Sequence, residues 1–172
     1  LIETLENIPG YLSALIGSSE VVESHYLERA YHGTSKVAPD DARRELGLPR
    51  RGDVLDLLLH VEPPPQWDTE RSAFRGTVPF PAYPAFPHQS AAEWAAEHGW
   101  VYEVCGFRGY ELNSLLDLRI PNGRGGFRRP LMQENETAIP ARVPCRFITK
   151  VGQVLQGRSG LVVEWCTDWS CS

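Results

Sequence analysis

Two glutamates stand one residue apart, Glu134 and Glu136, in the run Gln133-Glu134-Asn135-Glu136-Thr137-Ala138-Ile139-Pro140. Alternate residues of an extended strand share a face, so the two carboxylates would stand side by side, roughly 6–7 Å apart at their Cα atoms. Neighbouring carboxylates raise each other's proton affinity, which makes the pair costly without a use. One use is to stabilise a sugar that turns oxocarbenium-like while placing the group that attacks it. Glycoside hydrolysis also employs two carboxylates, but it needs them on opposite sides of the bond, which neighbours on one strand supply poorly. The plain alternative is an edge strand whose glutamates face water.

Several elements must position this pair. The spacing of Leu5, Ile8, Leu12, Leu15 and Ile16 is near helical, and Pro9-Gly10 interrupts it, so residues 1–25 read as a helical segment in short pieces. Residues 26–34 read as a strand running into a glycine turn. Ala38-Pro39-Asp40-Asp41 opens a short helix that Gly47 stops. Residues 53–62 fit either a strand or a helix, with a strand favoured because Pro63-Pro64-Pro65 follows at once, and 72–77 read as another strand. The proline-rich stretch 78–87 is a shaped loop. Ser90 and Glu93 form a capping-box pattern for a helix over 91–98, ended by Gly99. Residues 100–105 are the clearest strand. A glycine- and arginine-rich loop spans 121–129, followed by strands over 134–139, 145–156 and 161–165. Short helices and many strands in mixed order indicate an α+β fold with mainly antiparallel sheets rather than a doubly wound parallel sheet.

At 172 residues the chain is the size of one domain. Its net charge of −5 argues against broad attraction to nucleic acid or anionic membrane, and no apolar run approaches the roughly 20 residues of a membrane-spanning helix. Neither an initiator Met nor a signal-peptide pattern is present, so the chain reads as a mature or excised segment of a longer precursor. Cys105, Cys145, Cys166 and Cys171 allow three pairings, and the sequence does not choose among them. None has the Cys-x-x-Cys spacing of a zinc site, and no metal is expected. Free thiols and a C-terminal disulfide both stay open. The disulfide is favoured because three cysteines follow residue 144, and it would mean folding in an oxidising compartment.

The run from Glu134 through Pro144, with Phe147-Ile148 shortly after, resembles the Glu-x-Glu strand of mono-ADP-ribosyltransferase toxins of the cholera and pertussis type. Ser72-Ala73-Phe74-Arg75-Gly76-Thr77 resembles the family's second motif, with Arg75-Gly76-Thr77 where Ser-Thr-Ser is usual. Tyr31-His32-Gly33-Thr34-Ser35 stands where the first motif carries an arginine. His32 there is similar to the His class of the superfamily, which includes the diphtheria-toxin and poly-ADP-ribose polymerase branches. Trp94, the strand 100–104 and Asn113 follow the family order. The resemblance covers residues 26–150, with 151–172 as a C-terminal hairpin.

This resemblance implies a single ADP-ribosyltransferase-like domain, two small antiparallel sheets flanked by short helices around a cleft for NAD. It implies transfer of ADP-ribose from NAD, the co-substrate, to an arginine of a target protein. A NAD glycohydrolase and a non-catalytic interaction module are the alternatives on the same fold. Glu136 would bind the 2′-hydroxyl of the nicotinamide ribose and favour the cationic transition state, and Glu134 would orient or deprotonate the acceptor. His32 would bond the adenine-side ribose or a phosphate, Gly33 and Thr34 would bring the backbone close to the ligand, Arg75 would reach a phosphate, and the Thr77 hydroxyl would hold Glu136. Arg124, Phe127 and Arg128 would meet the target. The tryptophans, Trp67, Trp94, Trp100, Trp165 and Trp169, read as packing residues. The implied partners are NAD, a host or competitor protein and a delivery or binding subunit, for a toxin or effector that is secreted or translocated into a target cell.

Overall fold

The computed structural model describes residues 25–54, 60, 65–82, 90–112, 120–121, 127–128, 136–139 and 142–171. The expected helical segment before residue 25 lies outside them, as do Glu134, Arg124, Asn113 and most of 53–62.

The organising element is β4, Trp100–Glu111, which is paired along both edges and buried over Val101–Val104, the ion-paired Glu103 included. It extends six residues beyond the expected end at Cys105. Strand β1, His25–Thr34, pairs antiparallel along it from His25↔Gly109 to Thr34↔Trp100. Strand β9, Ile148–Gly157, pairs with Trp100–Val104, and the hairpin at Gly157–Gly160 returns the chain as β10, Gly160–Trp165. At its far end β4 meets β7, Thr137–Ile139, which pairs in turn with β3, Arg75–Thr77. Val78, one residue past β3, bridges Tyr31 in β1, so β3 and β7 are tied to the long strands at both ends. Two small antiparallel ladders complete the strands: β2, Gly47–Leu48, with β8, Val143–Pro144, and β5, Ile120–Pro121, with β6, Phe127–Arg128. The expected loop over 121–129 therefore begins and ends in a ladder. The result is strand-rich α+β with antiparallel pairing throughout the named strands.

Both faces of the sheet are covered. On one, Tyr102, Val104, Ile139 and Val151 pack with Leu48, Val143 and the Pro39–Arg44 helix through Ala42. A disulfide between Cys145 and Cys171 closes this side and settles the pairing that the sequence left open, with Cys105 and Cys166 as free thiols. On the other face, Val101, Val154 and Tyr31 pack against Ala91, Ala92 and Ala95 of the helix Ala91–Ala95.

Three local expectations fail for tertiary reasons. The Ser90 side chain makes no capping bond, and its buried Oγ has no partner among the described residues; the amides of Ala91 and Ala92 donate instead to the carbonyls of Phe80 and Pro81. The helix stops at Ala95, not His98, because His98 donates to Val154 and Gly99 accepts from it, which captures the chain on the edge of β9. Ala96 and His98 take positive φ to make that turn. Residues 145–147 form a 3-10 turn, so the strand expected from Cys145 begins at Ile148. In the first helix, Asp41 accepts the Ala38 amide as expected of an acidic first turn, and the left-handed residue that ends it is Leu46, with Gly47 already in β2.

Candidate functional site

Strand β3 lies at the centre of the polar side chains. Its middle residue, Gly76, has no side chain, and that gap is occupied: a Cβ there would meet Glu136 Oε1 and, at 2.8 Å, the ring of Trp94. Its neighbours are held from both sides. His32 donates from Nδ1 to the Gly76 carbonyl at 2.8 Å, and its Nε2 accepts from Arg75 Nη1 at 3.0 Å. Both ring nitrogens are thereby committed, and the imidazole is neutral. Burial, reinforced by the positive charge of Arg75, pushes its pKa down to about 3. Arg75 is itself buried, with its guanidinium gripping the Pro49 carbonyl through Nε at 2.9 Å and Nη2 at 2.5 Å. Burial lowers its pKa to about 10, which leaves it charged at neutral pH.

Glu136 immediately precedes β7 and is 6% exposed. Its Oε1 lies 2.8 Å from His60 Nε2. The Thr77 hydroxyl, expected to hold this carboxylate, donates instead to the Thr137 carbonyl at 2.8 Å and so fixes the backbone after Glu136 rather than its side chain. The side-chain partner is His60, which the sequence reading passed over. Its Nδ1 lies 3.0 Å from Ser72 Oγ, and Ser72 in turn accepts the Phe74 amide at 3.2 Å.

Two adjoining cavities open here, sharing His32, Gly33, Arg51 and Trp94. The smaller, about 250 Å³, ends on Glu136, His60 and Gly76. The larger, about 400 Å³, is lined by Thr34 and by four cationic side chains, Lys36, Arg50, Arg51 and Arg75, against one carboxylate, Glu70. These sizes fall in or near the range of small-molecule sites. Glu70 bridges Lys36 at 2.9 Å and Arg51 at 3.1 Å, and the Lys36 ammonium, ahead of Arg51, holds its carboxyl below the usual range.

The structure thus brings together His32, Gly33, Thr34, Arg75 and Glu136 and adds Arg51, His60 and Trp94. Gly33 lines both cavities, and its lack of a Cβ answers to the neighbouring helix, whose Ala91 carbonyl a side chain would strike. Trp94 packs against the second core cluster, as read from the sequence, and also forms cavity wall. Phe127 and Arg128 lie in the separate β5–β6 ladder, while Glu134 and Arg124 are outside the described residues. Among the described residues no three His, Cys, Asp or Glu side chains converge to hold a metal ion.

Compared with protein-family models, with curated proteins and with solved structures, the chain matches none.

Proposed function

We propose that the chain is an NAD-consuming mono-ADP-ribosyltransferase, with Glu136 as the carboxylate that faces the nicotinamide ribose. The observation that carries this reading is a near-buried, hydrogen-bonded carboxylate at the end of a cleft whose other half is lined with cations. A dinucleotide has that polarity. Its pyrophosphate seeks cationic side chains, and the ribose that loses nicotinamide becomes positive and gains from a fixed carboxylate. Trp94, on the wall common to both cavities, offers an aromatic face to a planar base. With both nitrogens of His32 committed within the protein, its part is to hold Gly76 and Arg75 in place beside the ligand. Arg75, charged and in the wall of the larger cavity, is the phosphate partner together with Arg51. Glu134 and an arginine of a target protein complete the transfer, with Arg124, Phe127 and Arg128 at the target surface. The Cys145–Cys171 bridge favours folding in an oxidising compartment, in keeping with a toxin or effector that is secreted or translocated.

The test is incubation with NAD labelled in its adenylate half, with and without a cell lysate. Label on protein, reduced about 100-fold or more in Glu136→Gln, is the expected result. Nicotinamide release with no labelled protein would assign water as the acceptor. Failure of the native protein either to bind or to cleave NAD would leave an interaction module and overturn the proposal.

A further inference from the structure

We propose that His60 is the positioning residue of this site: through Nε2–H it holds Oε1 of Glu136, and Ser72 fixes the imidazole in the tautomer that lets it do so. The role rests on Glu136 being the carboxylate that meets the ligand; the tautomer and the contact stand without it.

The hydrogen bonds run in one direction. The Phe74 amide donates to Ser72 Oγ, and Ser72 is 2% exposed, so its own proton needs a partner inside the protein. His60 Nδ1, 3.0 Å away, can take that proton only if it carries none. The ring proton then sits on Nε2, 2.8 Å from Glu136 Oε1. The other neutral tautomer would aim two donors at Ser72 Oγ, strand the hydroxyl proton and set a nitrogen lone pair against the carboxylate. Phe74, its ring centroid 5.7 Å from that of His60, packs against the imidazole at a tilt. One chain of donors therefore runs from the backbone at Phe74 to the carboxylate, and no charge on the imidazole is required.

The same contact decides which carboxylate oxygen is offered to a ligand. Oε1 lies between the His60 ring and the bare backbone of Gly76, so the remaining lone pairs of the group are chiefly those of Oε2. Holding a charged group in one orientation before the ligand arrives removes reorganisation from the reaction step. Misplacement by about 1 Å costs on the order of 100-fold in rate.

Two variants and one spectroscopic measurement test this. Gln carries an amide nitrogen at about the reach of Nε2, and Leu carries no donor. His60→Leu is expected to lower kcat for nicotinamide release from NAD about 100-fold, with KM for NAD changed less than about threefold, and His60→Gln to recover most of the loss. Equal losses in Leu and Gln, or no loss in Leu, would overturn the role. Independently, 15N NMR of the native imidazole is expected to show the proton on Nε2, and Ser72→Ala to weaken that preference. A proton on Nδ1 would overturn the proposal whether or not NAD is a substrate. Absence of turnover by the native protein, with the Nε2–H tautomer present, would defeat the NAD reading and leave the positioning contact standing.

Discussion

Two regions of the molecule are about equally buried and oppositely composed. On the disulfide side, Leu48, Tyr102, Val104, Ile139, Val143 and Val151 meet almost entirely through carbon, and the deep Tyr102 hydroxyl donates to the Val37 carbonyl. At the cleft, His32, Ser72, Arg75, Thr77 and Glu136 are as little exposed, and each has a hydrogen-bond partner. The first region gains stability from apolar area removed from water. The second gains little net stability from its bonds, since each replaces one made to water, but losing a single partner there leaves a buried group exposed to its full desolvation cost. Stability therefore belongs mainly to the first region, and defined geometry to the second.

The sharpest way to break this division is at the seam. Gly33 belongs to β1, lines the cleft and touches the helix that covers the second core cluster. In Gly33→Ala the new methyl would strike the Ala91 carbonyl, and backbone does not yield as a flexible side chain would. A loss of about 4–5 kcal/mol is expected, above the usual range for core overpacking, together with displacement of Trp94 from the cleft. Denaturant unfolding reads the first effect and tryptophan fluorescence the second. Native stability in the Gly33→Ala variant would mean that the helix is not seated against β1 as described. Next in size is the disulfide. Replacing Cys145 and Cys171 with Ser opens a loop with a sequence separation of 26 and is expected to cost about 3–4 kcal/mol. That loss falls on the apolar side, so NAD affinity below the melting transition should change little. A comparable collapse in affinity would show that the two regions are not separable.

What could be read in the sequence divides along the same line. The strand at Trp100–Val104 announced itself through its β-branched and aromatic residues, even though it carries a buried Glu103. The first helix was legible from Pro39 and its acidic first turn, since those signals act within a few residues of where they stand. Glu136 and His32 were singled out through resemblance and spacing, and both line the smaller cavity, His32 with its two ring nitrogens turned to Gly76 and Arg75. His60 was not found. It sits in an apolar stretch that fitted strand or helix, where strand was favoured and His60 itself is helical, and its partner is 76 residues away, so no local pattern could announce the contact. Thr77 was assigned to the wrong atom of the right neighbourhood: the register Thr77↔Thr137 sends its hydroxyl to backbone, and register is a property of the paired strands, not of either alone. Ser90 and the end of its helix misled for a related reason. The capping pattern was present, but carbonyls from Phe80 and Pro81 and the edge of β9 supplied better-placed partners.

The smallest predicted effect separates the two regions by their response to pH. His32 is kept neutral in the folded protein to about pH 3, first by burial and then by the charge of Arg75, whereas in the unfolded chain it titrates near 6.5. Between those limits the unfolded chain holds the extra proton, so stability falls as pH is lowered from 6.5 toward 3. Above 6.5 the contribution is fully present and flat. The slope is up to about 1.4 kcal/mol per pH unit, so unfolding at pH 5.5 should lie about 1.4 kcal/mol below its value at 7.5 from this group alone. His32→Asn keeps an N–H donor within reach of the Gly76 carbonyl and removes the titrating ring. Its stability should accordingly lose that part of the pH dependence, even if the variant is less stable at neutral pH. The double Cys→Ser variant at 145 and 171 should shift the whole curve down and leave its slope intact. An unchanged slope in His32→Asn, or a changed one in the double Cys→Ser variant, would show that the pH response does not originate at the cleft.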